Sequence, residues 1–236
     1  LSYLLEVDAV SEIDNKEKVH QLTRILLDYV GNKTTHMIDE NHAIDVAEYT
    51  DPERFHQEKY GLFRKTPLFM GFSCDLPENG SFKLNEDTGV SVLLTRNQQG
   101  VVKAFLNACT HRGAKLTEEP CGKKSRFTCP FHAWTFTNDG DLFAINQHPY
   151  FGDVDKSKLG LVELPCDEKY GMIFVILTPG MQMDVDEWLG AGKDYLAGWH
   201  FERNSLAAER DLVTTANWKV TLDTFCEGYH LSLIHI

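Results

Sequence analysis

The sequence predicts a mainly β protein with α+β character: a small antiparallel β domain over residues 65–180, with helical segments on either side. Three observations carry that reading. From Leu68 to Leu177, short apolar stretches alternate with turn residues at the spacing of an all-β domain. Before Phe63, apolar residues recur at helical spacing. After Pro179 the pattern turns mixed again.

In chain order, Val19, Leu22, Ile25, Leu26, Tyr29 and Val30 fall at helical spacing, and Gly31 stands where a C-capping glycine belongs. Residues 15–30 are therefore expected to form an amphipathic scaffold helix. Thr50-Asp51-Pro52-Glu53 is a helix start: Thr50 or Asp51 can cap, Pro52 suits the first turn, and the helix should run to about Phe63. Leu68–Phe72, Val90–Thr95, Val101–Asn107, Arg126–Cys129, Trp134–Thr137 and Met172–Leu177 read as strands. Pro77–Gly80, Asn97–Gly100 and Asn138–Gly140 are the turn signals between them. Beyond Pro179, Asp186–Leu189 and Asp194–Leu196 look helical, Ser205–Thr215 looks like a strand, and Trp218–His230 looks helical. The chain divides on this reading into an N-terminal helical region (1–64), the β domain (65–180) and the start of a second domain (181–236).

Composition sets limits on function. With 42% hydrophobic and 25% charged residues the chain is ordinary globular protein. Its net charge of −12 speaks against binding nucleic acid or an anionic membrane by charge. The longest apolar run, Met172–Leu177, is far short of a membrane span, and the first residues carry no basic segment of a secretion signal. A cytoplasmic protein is expected. The chain begins without Met and stops at Ile236 in mid-pattern, so a fragment is expected.

Without a secretion signal, a disulfide framework is a poor explanation for Cys74, Cys109, Cys121, Cys129, Cys166 and Cys226. Metal binding suits those with a neighbouring histidine. Cys109-Thr-His111 and Cys129-Pro-Phe-His132 each put a thiolate and an imidazole on a short loop after an expected strand. Two such hairpin tips can clamp one centre. In a Rieske-type [2Fe–2S] cluster two histidines replace two cysteines on one iron, so Cys109 and Cys129 would hold one iron and His111 and His132 the other. Imidazole ligation raises the potential, to ~−150 to +300 mV across the type. A structural zinc site also uses two Cys and two His, but its spacing is Cys-x₂₋₄-Cys with His-x₃₋₅-His. The remaining cysteines are expected to be buried small apolar residues.

Cys109-Thr-His-Arg-Gly113 and Cys129-Pro-Phe-His-Ala-Trp-Thr-Phe136 resemble the Rieske domain of ring-hydroxylating oxygenase α subunits, over about residues 50–230. Respiratory Rieske proteins carry an extra cysteine in each loop, where this chain has Ala114 and Phe131. Ala133 stands where many relatives have Gly. The resemblance implies that Arg112 and Trp134 orient the cluster loops. It also implies a catalytic domain of truncated α+β, helix-grip-like form after the Rieske domain.

Asn217-Trp-Lys219 and Asp223-Thr-Phe-Cys-Glu-Gly-Tyr-His230 form a second constellation. Glu227 and His230 are three apart and share a helix face. By spacing alone this fits a 2-His-1-carboxylate iron site no better than a solvated Glu and a hydrogen-bonded His. The family resemblance makes His230 the first ligand of a mononuclear Fe(II) and Glu227 the carboxylate bridging it to a cluster histidine of the neighbouring subunit. Asp223 and Thr224 depart from the commoner Glu-Asn. His235 falls at the second histidine's place. However, Leu231-Ser-Leu-Ile-His-Ile236 is the translation of CTGTCTCTTATACACATC, a transposase end used in DNA library preparation, so residues 231–236 are expected to be adapter-derived. The family's third ligand is a carboxylate beyond this chain.

The resemblance implies an oxygenase component fed by a reductase, with or without a ferredoxin, and assembled as a homotrimer or α3β3. It would use O₂ to hydroxylate a small organic molecule. The alternative is a Rieske ferredoxin-like electron-transfer protein, which has no reason to carry the segment from Asn217 to His230.

Overall fold

The computed structural model describes residues 15–35 and 43–226. Contacts divide the chain into two compact units, Leu1–Val46 and Ala47–Ile236.

In the first unit, α1 (Asn15–Asn32) is the expected amphipathic helix, but it does not stop at Gly31. Lys33 adopts the left-handed conformation (φ 51°), and the amides of Lys33 and Thr34 bond back to the carbonyls of Val30 and Tyr29. This is the paired closure of a Schellman motif, with Lys33 in the place expected for glycine.

The second unit opens with α2 (Ala47–Thr50) and α3 (Pro52–Gln57). Asp51 rather than Thr50 caps α3, accepting from the amides of Glu53 and Arg54. The helical path reaches Phe63 as expected, though Glu58–Phe63 widens into π-helical turns.

Eleven strands follow among the described residues: β1 (Leu68–Phe72), β2 (Ser81–Asn85), β3 (Val92–Arg96), β4 (Val102–Leu106), β5 (Cys121–Lys123), β6 (Arg126–Thr128), β7 (Thr135–Thr137), β8 (Leu142–Ala144), β9 (Glu163–Leu164), β10 (Cys166–Lys169) and β11 (Met172–Val175). They form three antiparallel sheets, ordered β5-β2-β3-β4-β9, β1-β11-β10 and β6-β7-β8. Side chains alternate faces along a strand, and β3 shows the consequence. Val92 and Leu94 pack with Met70, Ile173 and Val175, while Leu93 packs with Phe105, Phe127 and Phe136. The five-stranded sheet is thus covered on both faces, by the β1-β11-β10 sheet on one and by β6–β8 with the cysteine loops on the other.

The turn Asn97–Gly100 ties these layers together. Thr95 donates to the Asn138 carbonyl (2.7 Å), Asn138 donates to the Arg96 carbonyl (3.1 Å), and Asn97 donates to Asp139 (2.7 Å). Gly140, at φ 86°, lies against the Phe105 ring, where no side chain fits.

Beyond Pro179 the chain forms α4 (Val185–Leu189), capped by Asp184, then α5 (Gly192–Trp199) and α6 (Trp218–Cys226). The strand expected over Ser205–Thr215 is absent. That segment is exposed throughout, with Leu212 and Val213 at 81% and 98%. Alternation gives it a strand-like face, but it pairs with none of the described strands, and a lone strand has no ladder to hold it.

The expectation of four buried cysteines also needs correction. Cys121 and Cys226 are exposed, and Cys74 and Cys166 are partly buried. β5 is a sheet edge whose residues are all exposed, and Cys226 lies at the exposed end of α6. Cys166 alone behaves as a shielded thiol: burial, with the carboxylates of Asp167, Glu168 and Glu163, pushes it up to about 12.

Candidate metal centre

Two loops at one end of the β domain carry the cysteine–histidine pairs. The first leaves β4 at Asn107, which is buried. Its Oδ1 accepts from the amides of Leu116 (3.1 Å) and Thr117 (3.3 Å), and its Nδ2 donates to the Thr117 carbonyl (2.8 Å) and Ser91 Oγ (3.1 Å). One side chain therefore pins both ends of the loop. Thr110 adds a bond to the Leu159 carbonyl at 2.8 Å. The second loop joins β6 to β7, whose pairing fixes its ends.

The loops close by the same backbone pattern. The Cys109 amide donates to the Ala114 carbonyl (2.8 Å) and the Gly113 amide to the Cys109 carbonyl (2.7 Å). The Cys129 amide donates to the Trp134 carbonyl (2.8 Å) and the Ala133 amide to the Cys129 carbonyl (3.0 Å). Each loop needs a left-handed residue four places after its cysteine, and Gly113 (φ 74°) and Ala133 (φ 56°) supply it. The conformation suits glycine and strains alanine.

The arrangement brings together the four residues singled out by sequence. Cys109 and Cys129 are buried in one apolar cluster with Phe127, Phe136 and Leu116. The His111 and His132 rings lie side by side, centroids 4.9 Å apart. Trp134 is buried and stacks on His111 at 4.8 Å with an 11° interplanar angle, and Phe151 meets both rings edge-on. Phe131 covers His132 at 3.9 Å while remaining 60% exposed. Burial pushes the Cys109 thiol up, and the adjacent Cys129 adds to the shift. Burial, His132 and the Arg112 charge hold His111 below its usual range, which keeps the imidazole neutral and able to ligate a metal. Arg112 itself is exposed.

The donor set fits a two-iron cluster. His132 Nδ1 and Trp134 Nε1 are buried without a hydrogen-bond partner, and a buried polar atom left so calls for one. Two thiols and two imidazoles supply two ligands for each iron. Among the described residues no three His, Cys, Asp or Glu side chains gather close enough to hold a single ion.

Sequence reasoning passed over Asn107, Thr110 and Phe151. Asn107 left a trace, a polar residue closing an apolar strand two places before a cysteine, whereas Phe151 left none. Glu227, His230 and His235 lie outside the described residues.

Comparison with known proteins decides the family. Residues 66–157 match the Rieske [2Fe-2S] domain, and residues 186–236 match the catalytic domain of the ring hydroxylating alpha subunit. The chain belongs to the Rieske non-haem iron oxygenase α-subunit family. It is 31% identical over 195 residues to the glycine betaine monooxygenase oxygenase subunit of Chromohalobacter salexigens, covering 83% of this chain and 43% of that one. It is 31% identical over 193 residues to the anthranilate 1,2-dioxygenase large subunit of Acinetobacter baylyi, covering 79% and 41%. The crystal structure of a quaternary ammonium Rieske monooxygenase with its substrate gamma-butyrobetaine has 30% identity and a TM-score of 0.74, covering 80% of this chain and 55% of that one. The chain thus spans about half the length of the relatives it matches. Among the described residues no helix is long and apolar enough to cross a membrane.

Proposed function

We propose that the protein is a cytoplasmic oxygenase component that uses O₂ to hydroxylate a small organic molecule. Cys109 and Cys129 would hold one iron of a [2Fe–2S] cluster and His111 and His132 the other, within a Rieske domain over residues 65–180. His230 would ligate a mononuclear iron, with Glu227 as the bridging carboxylate, and the position of His235 is where the gene should encode the second histidine. When bound, the cluster supplies single electrons and the mononuclear iron supplies O₂ activation. The donors would be a reductase, with or without a ferredoxin, and the assembly a homotrimer or α3β3.

The observation that supports this most is the matched pair of loops, with two buried thiols, two adjacent imidazoles and the unpartnered His132 Nδ1. The surrounding residues have definable tasks. Asn107 and the backbone bridges hold the loops in register. Trp134 sets the plane of His111, and Phe127, Phe136 and Leu116 keep water from the thiols. Phe131 presents an apolar contact beside His132 at the surface.

Iron analysis of the full-length gene product tests the reading, coupled to a single turnover. The oxygenase reading expects iron in excess of the cluster's two per chain. It also expects reoxidation of the reduced cluster by O₂ that accelerates when a substrate of the correct class is present, with γ-butyrobetaine and anthranilate as first probes. Cluster iron alone would leave the electron-transfer reading in its place.

A further inference from the structure

Helix α6 leads into the segment that carries Glu227 and His230, and it is gripped at two levels by the start of the second unit. At its first turn, Trp218 Nε1 donates to Glu58 Oε2 (2.9 Å), and Lys219 Nζ bonds Glu58 Oε1. Both carboxylate oxygens are thus engaged, and the Glu58 and Lys219 side chains are only 16% and 20% exposed. Asn217 caps the same turn: its Oδ1 accepts from the Lys219 amide (2.9 Å), and its Nδ2 donates to the Tyr49 carbonyl (2.8 Å). One turn further on, the Tyr49 hydroxyl donates to Asp223 Oδ2 at 2.8 Å.

The π-helical turns have a role in this grip. They put Glu58 and Phe63, five residues apart, on the same indole: Phe63 meets Trp218 edge-on at 5.0 Å. Two departures from the family pattern also find partners. Asp223 is engaged by Tyr49, and Thr224 Oγ1 bonds the Val220 carbonyl at 2.8 Å within the helix.

We propose that Tyr49 and Glu58 form a two-point latch that fixes the rotation and depth of α6. They are positioning residues for the site that follows it. Contacts at Trp218–Lys219 and at Asp223 lie more than a turn apart, so together they oppose both rolling and sliding of the helix. Glu227 and His230 follow Asp223 by four and seven residues, the spacing of one helix face. The latch rests on the oxygenase reading for its consequence, but not for its existence.

The test uses the full-length, cluster-loaded gene product with Tyr49→Phe, Glu58→Gln, Asp223→Leu and Asp223→Asn. Hydrogen exchange reports on α6, and metal analysis with the EPR signal of the ferrous–nitric oxide adduct reports on the mononuclear iron. Tyr49→Phe, Glu58→Gln and Asp223→Leu should each speed exchange of α6 amides and weaken Fe(II) retention by about three- to tenfold, the value of one hydrogen bond. The Rieske EPR signal should be unchanged. Asp223→Asn, which keeps an acceptor for Tyr49, should behave as the parent, and Tyr49→Phe combined with Asp223→Leu should be no worse than either alone. Unchanged exchange and retention in Tyr49→Phe and Glu58→Gln would overturn the latch. A parent without mononuclear iron would overturn the oxygenase reading and the positioning role with it, while exchange would still decide the latch itself.

Discussion

The two metal-centre loops contain a natural experiment in backbone strain. Both close by the same pair of hydrogen bonds and both require a left-handed residue, yet one uses Gly113 and the other Ala133. Exchanging them should move stability in opposite directions. A Cβ added at Gly113 meets nothing within 4 Å, so Gly113→Ala measures the backbone term without a clash. The left-handed conformation costs a non-glycine residue about 1–2 kcal/mol. The smaller entropy of unfolded alanine returns about 0.4–1 kcal/mol. The net for Gly113→Ala is a loss of roughly 0.5–1 kcal/mol, and Ala133→Gly should gain a similar amount. For a folded unit of this size that corresponds to about 1–4 °C in Tm. Thermal unfolding of the cluster-loaded protein, followed by circular dichroism and by loss of visible absorbance, would show both shifts. The double variant should return close to the parent. A rise in Tm for Gly113→Ala, or a fall for Ala133→Gly, would refute the left-handed geometry and the equivalence of the loops.

Three further outcomes follow from the packing. Gly140→Ala would drive a methyl into Phe105 Cε1 at φ 86°, and that ring is fully buried. Overpacking and backbone strain together should destabilise by about 2–5 kcal/mol in chemical denaturation. Asn107→Ala would leave the amides of Leu116 and Thr117 and the Thr117 carbonyl unpartnered, at a cost of about 2–4 kcal/mol and with loss of bound iron on gel filtration. Burial raises the Glu168 carboxyl, but the hydrogen bond from Arg96, one from Ser73 and the Arg96 charge outweigh it and leave the pKa below its ordinary value. A carboxyl lowered on folding stabilises fully above the ordinary glutamate range, and the contribution is lost as pH falls through that range towards the native value. Arg96→Gln should therefore flatten the acid side of the stability profile, which denaturation at a series of pH values would show.

Much of this was legible in the sequence because it depends on local pattern. β3 and β4 announced themselves as apolar runs, and the β3–β4 and β7–β8 turns carried glycine at the positive-φ positions Gly100 and Gly140. The cysteine–histidine pairs were legible because the metal's requirements are met by residues close in sequence. β2 and β10 were not, since Lys83, Asn85, Asp167 and Lys169 hide their alternation and their pairing is supplied by distant strands. Ser205–Thr215 failed the other way, as a pattern without a partner among the described residues. The latch on α6 was also out of reach, because Tyr49 and Asp223 lie 174 residues apart. Ala133 illustrates a middle case. Its departure from glycine was visible, but only the backbone shows that it takes up the strain.

The central claim is that two thiolates and two imidazoles from these loops share one binuclear iron cluster. Pulsed EPR of the dithionite-reduced protein tests it most directly, because nuclear modulation reports nitrogen bound to the paramagnetic pair. The account predicts a rhombic Rieske signal coupled to two imidazole nitrogens, lost together with the cluster in Cys109→Ala and Cys129→Ala. A reduced cluster with no nitrogen coupling, or a colourless protein holding zinc at these loops, would contradict it.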